Sequence, residues 1–182
     1  EAGIKRAMIE IRADETEGFD ALNDTWNENE DSFKEISLTD DGYFSIEFPV
    51  QDDKGEETGK DYGLIDEERK ININTAPANV LNQFFQLVGE ASSQDAADIS
   101  DSIIDWRDED DEPNAYGAET SYYQSLDSGY NCKNSKFEIL EELLLVKKMT
   151  QDIFDKVRNR LTVYGSGKVN INTADLLVLQ SL

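Results

Sequence analysis

Seven residues of this chain occur twice, almost unchanged. Lys70-Ile71-Asn72-Ile73-Asn74-Thr75-Ala76 returns as Lys168-Val169-Asn170-Ile171-Asn172-Thr173-Ala174, an offset of 168 − 70 = 98 residues. Val80-Leu81 and Val178-Leu179 keep the same offset. Each copy reads as a short alternating strand running into a helix start. Asn and Thr suit such a junction because their side chains hold backbone groups that the helix leaves unpaired. In the first copy Thr75 is the expected cap and Pro77 lies close to the first helical position. The helix then carries Val80, Leu81, Phe84, Phe85 and Leu87, and Gly89 ends it. A chain that writes one junction twice must place two similar strand-to-helix passages in one fold.

The pattern around these copies alternates between strand and helix. Ile4, Ala7, Met8 and Ile11 recur at helical spacing over residues 1–14, with Leu22 and Trp26 as candidates to extend that helix. Residues 35–50 are rich in β-formers. Within them Tyr43-Phe44-Ser45-Ile46-Glu47-Phe48 reads as a strand after the turn Asp40-Asp41-Gly42. Residues 51–61 hold Gly and charge with little to bury, and read as a loop. Ser92 or Ser93 opens a helix with the stripe Ile99, Ile103, Trp106. Residues 137–148 read as strongly helical, and Thr150 caps a helix through Phe154, Val157 and Leu161. Residues 161–165 and 169–172 read as strands around a turn at Ser166-Gly167. Helix, strands, a run of helices, then strands is an α+β order with a helical segment between sheet segments.

Charge narrows the functional classes. There are 40 acids against 17 bases and no histidine, a net −23. Such a surface repels phosphate backbones and suits multivalent cations. Asn-Thr-Ala-x-x-x-Val-Leu opening a helix looks like half of a helix-hairpin-helix unit. However, Leu87-Val88-Gly89-Glu90 puts an acid where a second Gly is wanted, and no Lys/Arg patch surrounds it. The one cysteine, Cys132, excludes an intramolecular disulfide and multi-cysteine zinc sites. Without histidine the commonest general base is missing, and no carboxylate pair stands out for acid/base work. Metal chemistry is then restricted to oxygen donors. No apolar run reaches transmembrane length. The first residues open inside a helical pattern and the last stop inside another, so the chain reads as a piece of a longer one.

The acids concentrate between Asp95 and Glu119, ten of them against the single base Arg107. Asp101, Asp105 and Asp108 follow i, i+4, i+7 spacing, so one helix face leads carboxylates into the loop 108–119. That loop has the 12-residue length of an EF-hand, with Asp108, Asp110 and Glu112 at its positions 1, 3 and 5 and Glu119 at position 12. Pro113 stands where the EF-hand requires Gly, so a true EF-hand is not expected. A different calcium loop using Asp108, Asp110 and Glu119 survives that objection. The alternative is a solvated acidic loop.

The run 103-IIDWRDEDDEPNAYGAETSYY-123, then Lys133-Asn134 and Phe137, then 140-LEELLLVKKMT-150, then 161-LTVYGSGKVNINTA-174, resembles minor pseudopilin K of the type II secretion system. The likeness extends from about Tyr43 to the C-terminus, and residues 1–30 fit as the soluble continuation of a pilin helix. It implies a pilin-like α+β fold, an N-terminal helix on an antiparallel sheet, with a large inserted α-helical domain. The implied domains are 1–73 with 161–182 for the pilin-like part and 74–160 for the insert. The repeat would then flank the insert on both sides. The departures are Lys148 where a Gly is common, a single Cys, the missing N-terminal anchor and processing site, and an end soon after Thr173-Ala174.

The resemblance further implies a non-enzymatic subunit at the pseudopilus tip. It would assemble with minor pseudopilins I and J, with other pseudopilins as further candidate partners. It would be a periplasmic domain tethered to the inner membrane by a helix absent from this chain. The implied structural cofactor is calcium. Its best ligand candidates are Asp108, Asp110 and Glu119, and its weaker ones Asp105, Asp111 and Glu142. The stripe Ile4, Ala7, Met8 and Ile11 is the expected partner-binding face, part of it packing on the protein's own sheet. Two other readings are a stand-alone extracellular calcium-binding domain and the disfavoured nucleic-acid module.

Overall fold

A computed structural model describes residues 1–14, 18–39, 42–51 and 57–182, the side chain of Gln51 aside. It is a mixed helix and strand structure with two compact units, Glu1–Asp66 and Glu67–Leu182.

The first unit opens with α1 (Ala2–Ala13). The expected extension toward Trp26 does not form: Asp14 is extended (φ −60°, ψ 121°), and residues 15–17 lie outside the described residues. Trp26 is instead buried, as is Phe33 of the one-turn helix α2 (Glu30–Phe33), while Leu22 stays half-exposed. Two antiparallel hairpins follow. β1 (Ile36–Thr39) pairs with β2 (Gly42–Phe44), and β3 (Glu47–Gln51) with β4 (Glu57–Tyr62). Asp40 and Asp41 of the expected turn lie outside the described residues. The single strand expected over 43–48 is broken at Ser45-Ile46. Ser45 Oγ accepts from Glu35 N (2.9 Å), and Ile46 N donates to Phe33 O (2.8 Å) rather than to a neighbouring strand. The loop expected over 51–61 is also corrected. Residues 52–56 lie outside the described residues, but 57–62 form β4, in register Glu47↔Tyr62 through Val50↔Gly59. Backbone pairing and cross-strand charges such as Lys60–Glu47 (2.6 Å) make a strand there without an apolar pattern.

The second unit holds the larger core. β5 (Ile71–Asn72) lies parallel to β6 (Leu161–Thr162). Around this pair stand α3 (Ala78–Leu87), α4 (Ser93–Arg107), α5 (Thr120–Gln124), α6 (Gln151–Val157) and α7 (Leu176–Ser181). The predicted stripes are what is buried: Val80, Leu81, Phe84 and Phe85 on α3, Ile99, Ile103 and Trp106 on α4, Phe154 and Val157 on α6. Leu87 is not; it is 42% exposed. Ser92 caps α4 by accepting from Asp95 N (3.1 Å), and Thr150 caps α6 by accepting from Ile153 N (3.2 Å).

Four expectations change here. Pro77, not Thr75, is the N-cap of α3, because Asn72 to Thr75 close a turn first. Residues 137–148 form only a 3₁₀ segment at Leu140–Leu145, since Leu143 is the one fully buried side chain in that segment and Leu144 and Leu145 face out. Residues 169–172 are not a strand but lead into a turn like that at 72–75. Finally, 161–182 packs with 67–160 in one unit, β6 on β5 and α7 on α3, so the expected division at 73/74 and 160/161 differs from the observed one at Asp66/Glu67.

Candidate metal centre

The acidic loop leaves the C-terminus of α4. Trp106, Ile103 and Ile99 anchor that helix in the core, so its last residues are held firmly. Arg107 is turned inward, where it donates to Ile73 O and, at 2.7 Å, to Ala76 O. It thereby ties the loop's origin to the first copy of the repeat. Asp108, next in sequence, ends the helix with extended backbone (φ −80°, ψ 177°). The chain returns through Gly117 and Ala118 to Glu119, which stands at the N-cap position of α5.

Asp108, Asp110 and Glu119 each bring one carboxylate oxygen to within 4.8 Å of the other two. Asp110 is exposed, but Glu119 is only 2% exposed. Neither Glu119 oxygen has a hydrogen-bond partner, and Asp108 Oδ1 is buried without one. Burial is the main force pushing the Glu119 carboxyl up to about 7, with Asp105, Asp108 and Asp111 adding repulsion. Burial also raises Asp108, helped by Asp110 and Asp105. Buried carboxylates without donors are costly, and an oxygen-coordinated divalent cation relieves that cost. Three converging carboxylates with no nitrogen or sulfur ligand fit a hard cation such as calcium.

The other candidate ligands have other work. Asp105 is fully buried but saturated: its Oδ1 accepts from Asn114 N (3.1 Å) and from Asn114 Nδ2 (2.5 Å). Burial raises its carboxyl, and those bonds oppose the rise. A Cβ on Gly117 would collide with this carboxylate, so only glycine lets the loop close over Asp105. Asp105 positions the loop that carries Glu119. Asp111 accepts from Asn134 Nδ2 (3.0 Å) at the margin of the cluster. Glu142 is not brought to it. Its carboxylate accepts from Lys133 Nζ (2.8 Å), Glu138 N (2.8 Å) and Ile139 N (3.2 Å). Burial alone would raise Glu142, yet Lys133 and the two amides hold it below the usual range.

Sequence reasoning missed two neighbours. Asn134, at φ 47°, donates to Asp110 O (2.9 Å) and has a buried Oδ1 with no partner, a further oxygen beside the cluster. Cys132 is buried next to Glu119, its thiol pushed up to about 12 by burial and by that carboxylate. Lys133-Asn134 adjoining an acidic loop in space leaves no signal in spacing alone. A second triad, Asp14, Asp20 and Asp24, lies in the first unit; Asp24 accepts from Ala21 N (2.7 Å) there.

The predicted partner face can be read on α1. Ile4 is 69% exposed, Ile11 54% and Met8 44%, with Ala7 half-buried. The inward side is polar: Glu10 is buried, pairs with Arg6 (2.7 Å), and Arg6 donates to Ser32 O (2.9 Å). The stripe therefore faces out rather than packing on the hairpins. No helix among the described residues is long and apolar enough to cross a membrane.

Known proteins that this chain is similar to include the following. The family described as Type II secretion system (T2SS), protein K matches residues 62–166. A type II secretion system protein K from Pectobacterium carotovorum subsp. carotovorum is 27% identical over 111 residues, 60% of this chain and 34% of the relative. A chain from the crystal structure of the GspK-GspI-GspJ complex of the enterotoxigenic Escherichia coli type 2 secretion system superposes with a TM-score of 0.73 at 17% identity. That match covers 99% of this chain and 63% of the other. The chain thus spans about a third of the curated relative's length.

Proposed function

Because this chain belongs to the type II secretion system protein K family, we propose that it is the soluble part of a minor pseudopilin that assembles with its cognate pseudopilins I and J at the pseudopilus tip. The observation that carries the reading is α1: its large apolar residues Ile4, Met8, Ile9 and Ile11 are exposed, while Glu10 is buried and paired with Arg6, unlike a helix serving only its own core. An outward apolar stripe is the surface that packs against neighbouring helices. The matched chain comes from a complex with GspI and GspJ, which supports the choice of partners. In this reading α1 continues a membrane-anchored pilin helix, the hairpins of the first unit stand for the pilin-like sheet, and the second unit is the bulky helical domain. The protein would work in the periplasm.

The role is structural rather than catalytic. The chain has no histidine, and its one thiol, pushed up to about 12, is a poor nucleophile. Calcium would be held by Glu119 and Asp108, whose buried oxygens lack partners, and by Asp110. It would fasten the end of α4 to the start of α5. Saturating calcium should raise the melting temperature, and Asp108→Ala should remove that rise; an Asp108→Ala variant that responds to calcium like the unaltered protein would exclude Asp108 as a ligand. The nucleic-acid reading gains no support, since the end of α3 presents Glu90, paired with Lys156 (2.9 Å).

The decisive experiment is size-exclusion chromatography of this chain with the soluble domains of its cognate pseudopilins I and J, in calcium and in chelator. Co-elution as a heterotrimer, lost in Ile4→Asp/Met8→Asp, is the expected result. Separate elution of folded components would favour a stand-alone calcium-binding domain.

A further inference from the structure

The limb of the acidic loop that returns to Glu119 is held from two sides. On one side is Asp105, which accepts from Asn114 N (3.1 Å) and from the Ala118 amide, with Gly117 closed over its carboxylate. On the other side is Lys147, in the turn that precedes α6. Lys147 Nζ donates to Tyr116 O (2.9 Å) and Gly117 O (3.3 Å) and pairs with Asp98 of α4 (3.5 Å). It stands 5.6 Å from the centre of the Tyr122 ring on α5. The Lys147 amide donates to Tyr123 Oη (3.3 Å), so its backbone is held as well.

This is not a surface ion pair, in which an ammonium faces water and contributes little. The Lys147 side chain is 19% exposed, and it spends its donors on two consecutive backbone carbonyls that no helix or strand pairs. Those carbonyls belong to the residues just before Ala118-Glu119. Residues 109–116 are all exposed and add nothing to the core, so the two anchors set where the returning limb lies.

We propose that Lys147 is a positioning residue for the candidate cation site, a role that rests on the calcium reading above. Its ammonium clamps the Tyr116 and Gly117 carbonyls and so fixes Glu119 opposite Asp108 and Asp110, without touching the cation. The role has a distinctive sign. On charge alone, removing a lysine from the neighbourhood of three carboxylates strengthens the binding of a divalent cation. Removing a clamp weakens it.

Calorimetric titration with calcium compares Lys147→Met with Lys148→Met. Lys148 carries the same charge one residue on, but its side chain is 51% exposed and pairs with Asp95 (3.2 Å) rather than with the loop. Lys147→Met should weaken calcium binding about 10- to 100-fold. Lys148→Met should leave it unchanged or slightly tighter, and Lys147→Arg, which keeps charge and donors, should recover most of the affinity. In metal-free protein, hydrogen exchange at the Ala118 amide should be about tenfold faster in Lys147→Met, a readout that needs no cation. Lys147→Gln, too short to hold both carbonyls, gives the same comparison if Lys147→Met is unfolded. Calcium binding as tight as in the unaltered protein, or tighter, would overturn the proposal, as would unchanged exchange at Ala118. An unaltered protein that binds no calcium would instead overturn the calcium reading, and this role with it.

Discussion

Two halves of one acidic loop treat buried carboxylates in opposite ways. On one side Asp105 is fully buried and saturated, with Asn114 donating to it from backbone and side chain and Gly117 closing over it. On the other side Glu119 is nearly as buried and has no N–H or O–H donor, with only the weakly donating Cys132 thiol beside it. The first arrangement holds a loop in place. The second leaves buried carboxylate oxygens that a cation would satisfy in the reading proposed above. A carboxylate's use is thus decided by its donors, not by its depth.

The largest effect expected from breaking this contrast is at the saturated half. Asp105→Ala leaves the Asn114 donors and a cavity buried, and should cost roughly 3–5 kcal/mol in chemical denaturation, with or without calcium. At the orphaned half Glu119→Gln should leave metal-free stability unchanged or higher. It should abolish the calcium-dependent gain, which for the unaltered protein is about 2.7 kcal/mol at a hundredfold excess over Kd. Equal calcium stabilisation in both proteins would remove Glu119 from the ligand set.

Proton dependence sharpens the same point. The folded Glu119 carboxyl is raised from 4.5 to about 7, so the folded state binds more protons than the unfolded state between those values. Its contribution is therefore fully present below pH 4.5 and is lost as pH rises through about 7, on the order of 3 kcal/mol. Asp105 and Asp108, raised as well, push in the same direction. Denaturation of metal-free protein at pH 5 and 8 should show that decline, and saturating calcium should flatten it. Two smaller effects follow. Asp110→Asn should weaken calcium binding about tenfold by titration calorimetry without changing metal-free stability, since Asp110 is exposed. Glu142→Gln should cost about 1 kcal/mol through its lost Lys133 pair and leave calcium affinity unchanged.

Local signals were read most securely where one element supplies its own reason. α4 has a Ser92 cap and an Ile99, Ile103, Trp106 stripe and stands as its pattern predicts; α6 starts at its Thr150 cap as expected but ends at Val157, and Leu161, expected on the same helix, belongs to β6. The triad Asp108, Asp110, Glu119 was also legible, because the loop that joins them is only 12 residues long. Leu143-Leu144-Leu145 misled, because three leucines in a row are helical in propensity but only Leu143 finds a core here. Glu142 misled for a related reason: Lys133 and two amides, invisible in spacing, reach it first. β4 escaped notice because strand pairing along 57–62 needs a partner backbone rather than apolar alternation.

By itself the sequence determined the two junctions, the helical stripes and the oxygen-only character of any metal chemistry, since each rests on residues close together in the chain or on the absence of histidine. Only the tertiary structure decided which carboxylates are saturated and which orphaned, that the stripe on α1 faces outward, and that the first copy of the repeat pairs as a strand while the second does not. Those outcomes depend on donors and apolar surfaces brought in from distant residues, such as Thr162 to Ile73 across 162 − 73 = 89 positions, and no local pattern encodes them.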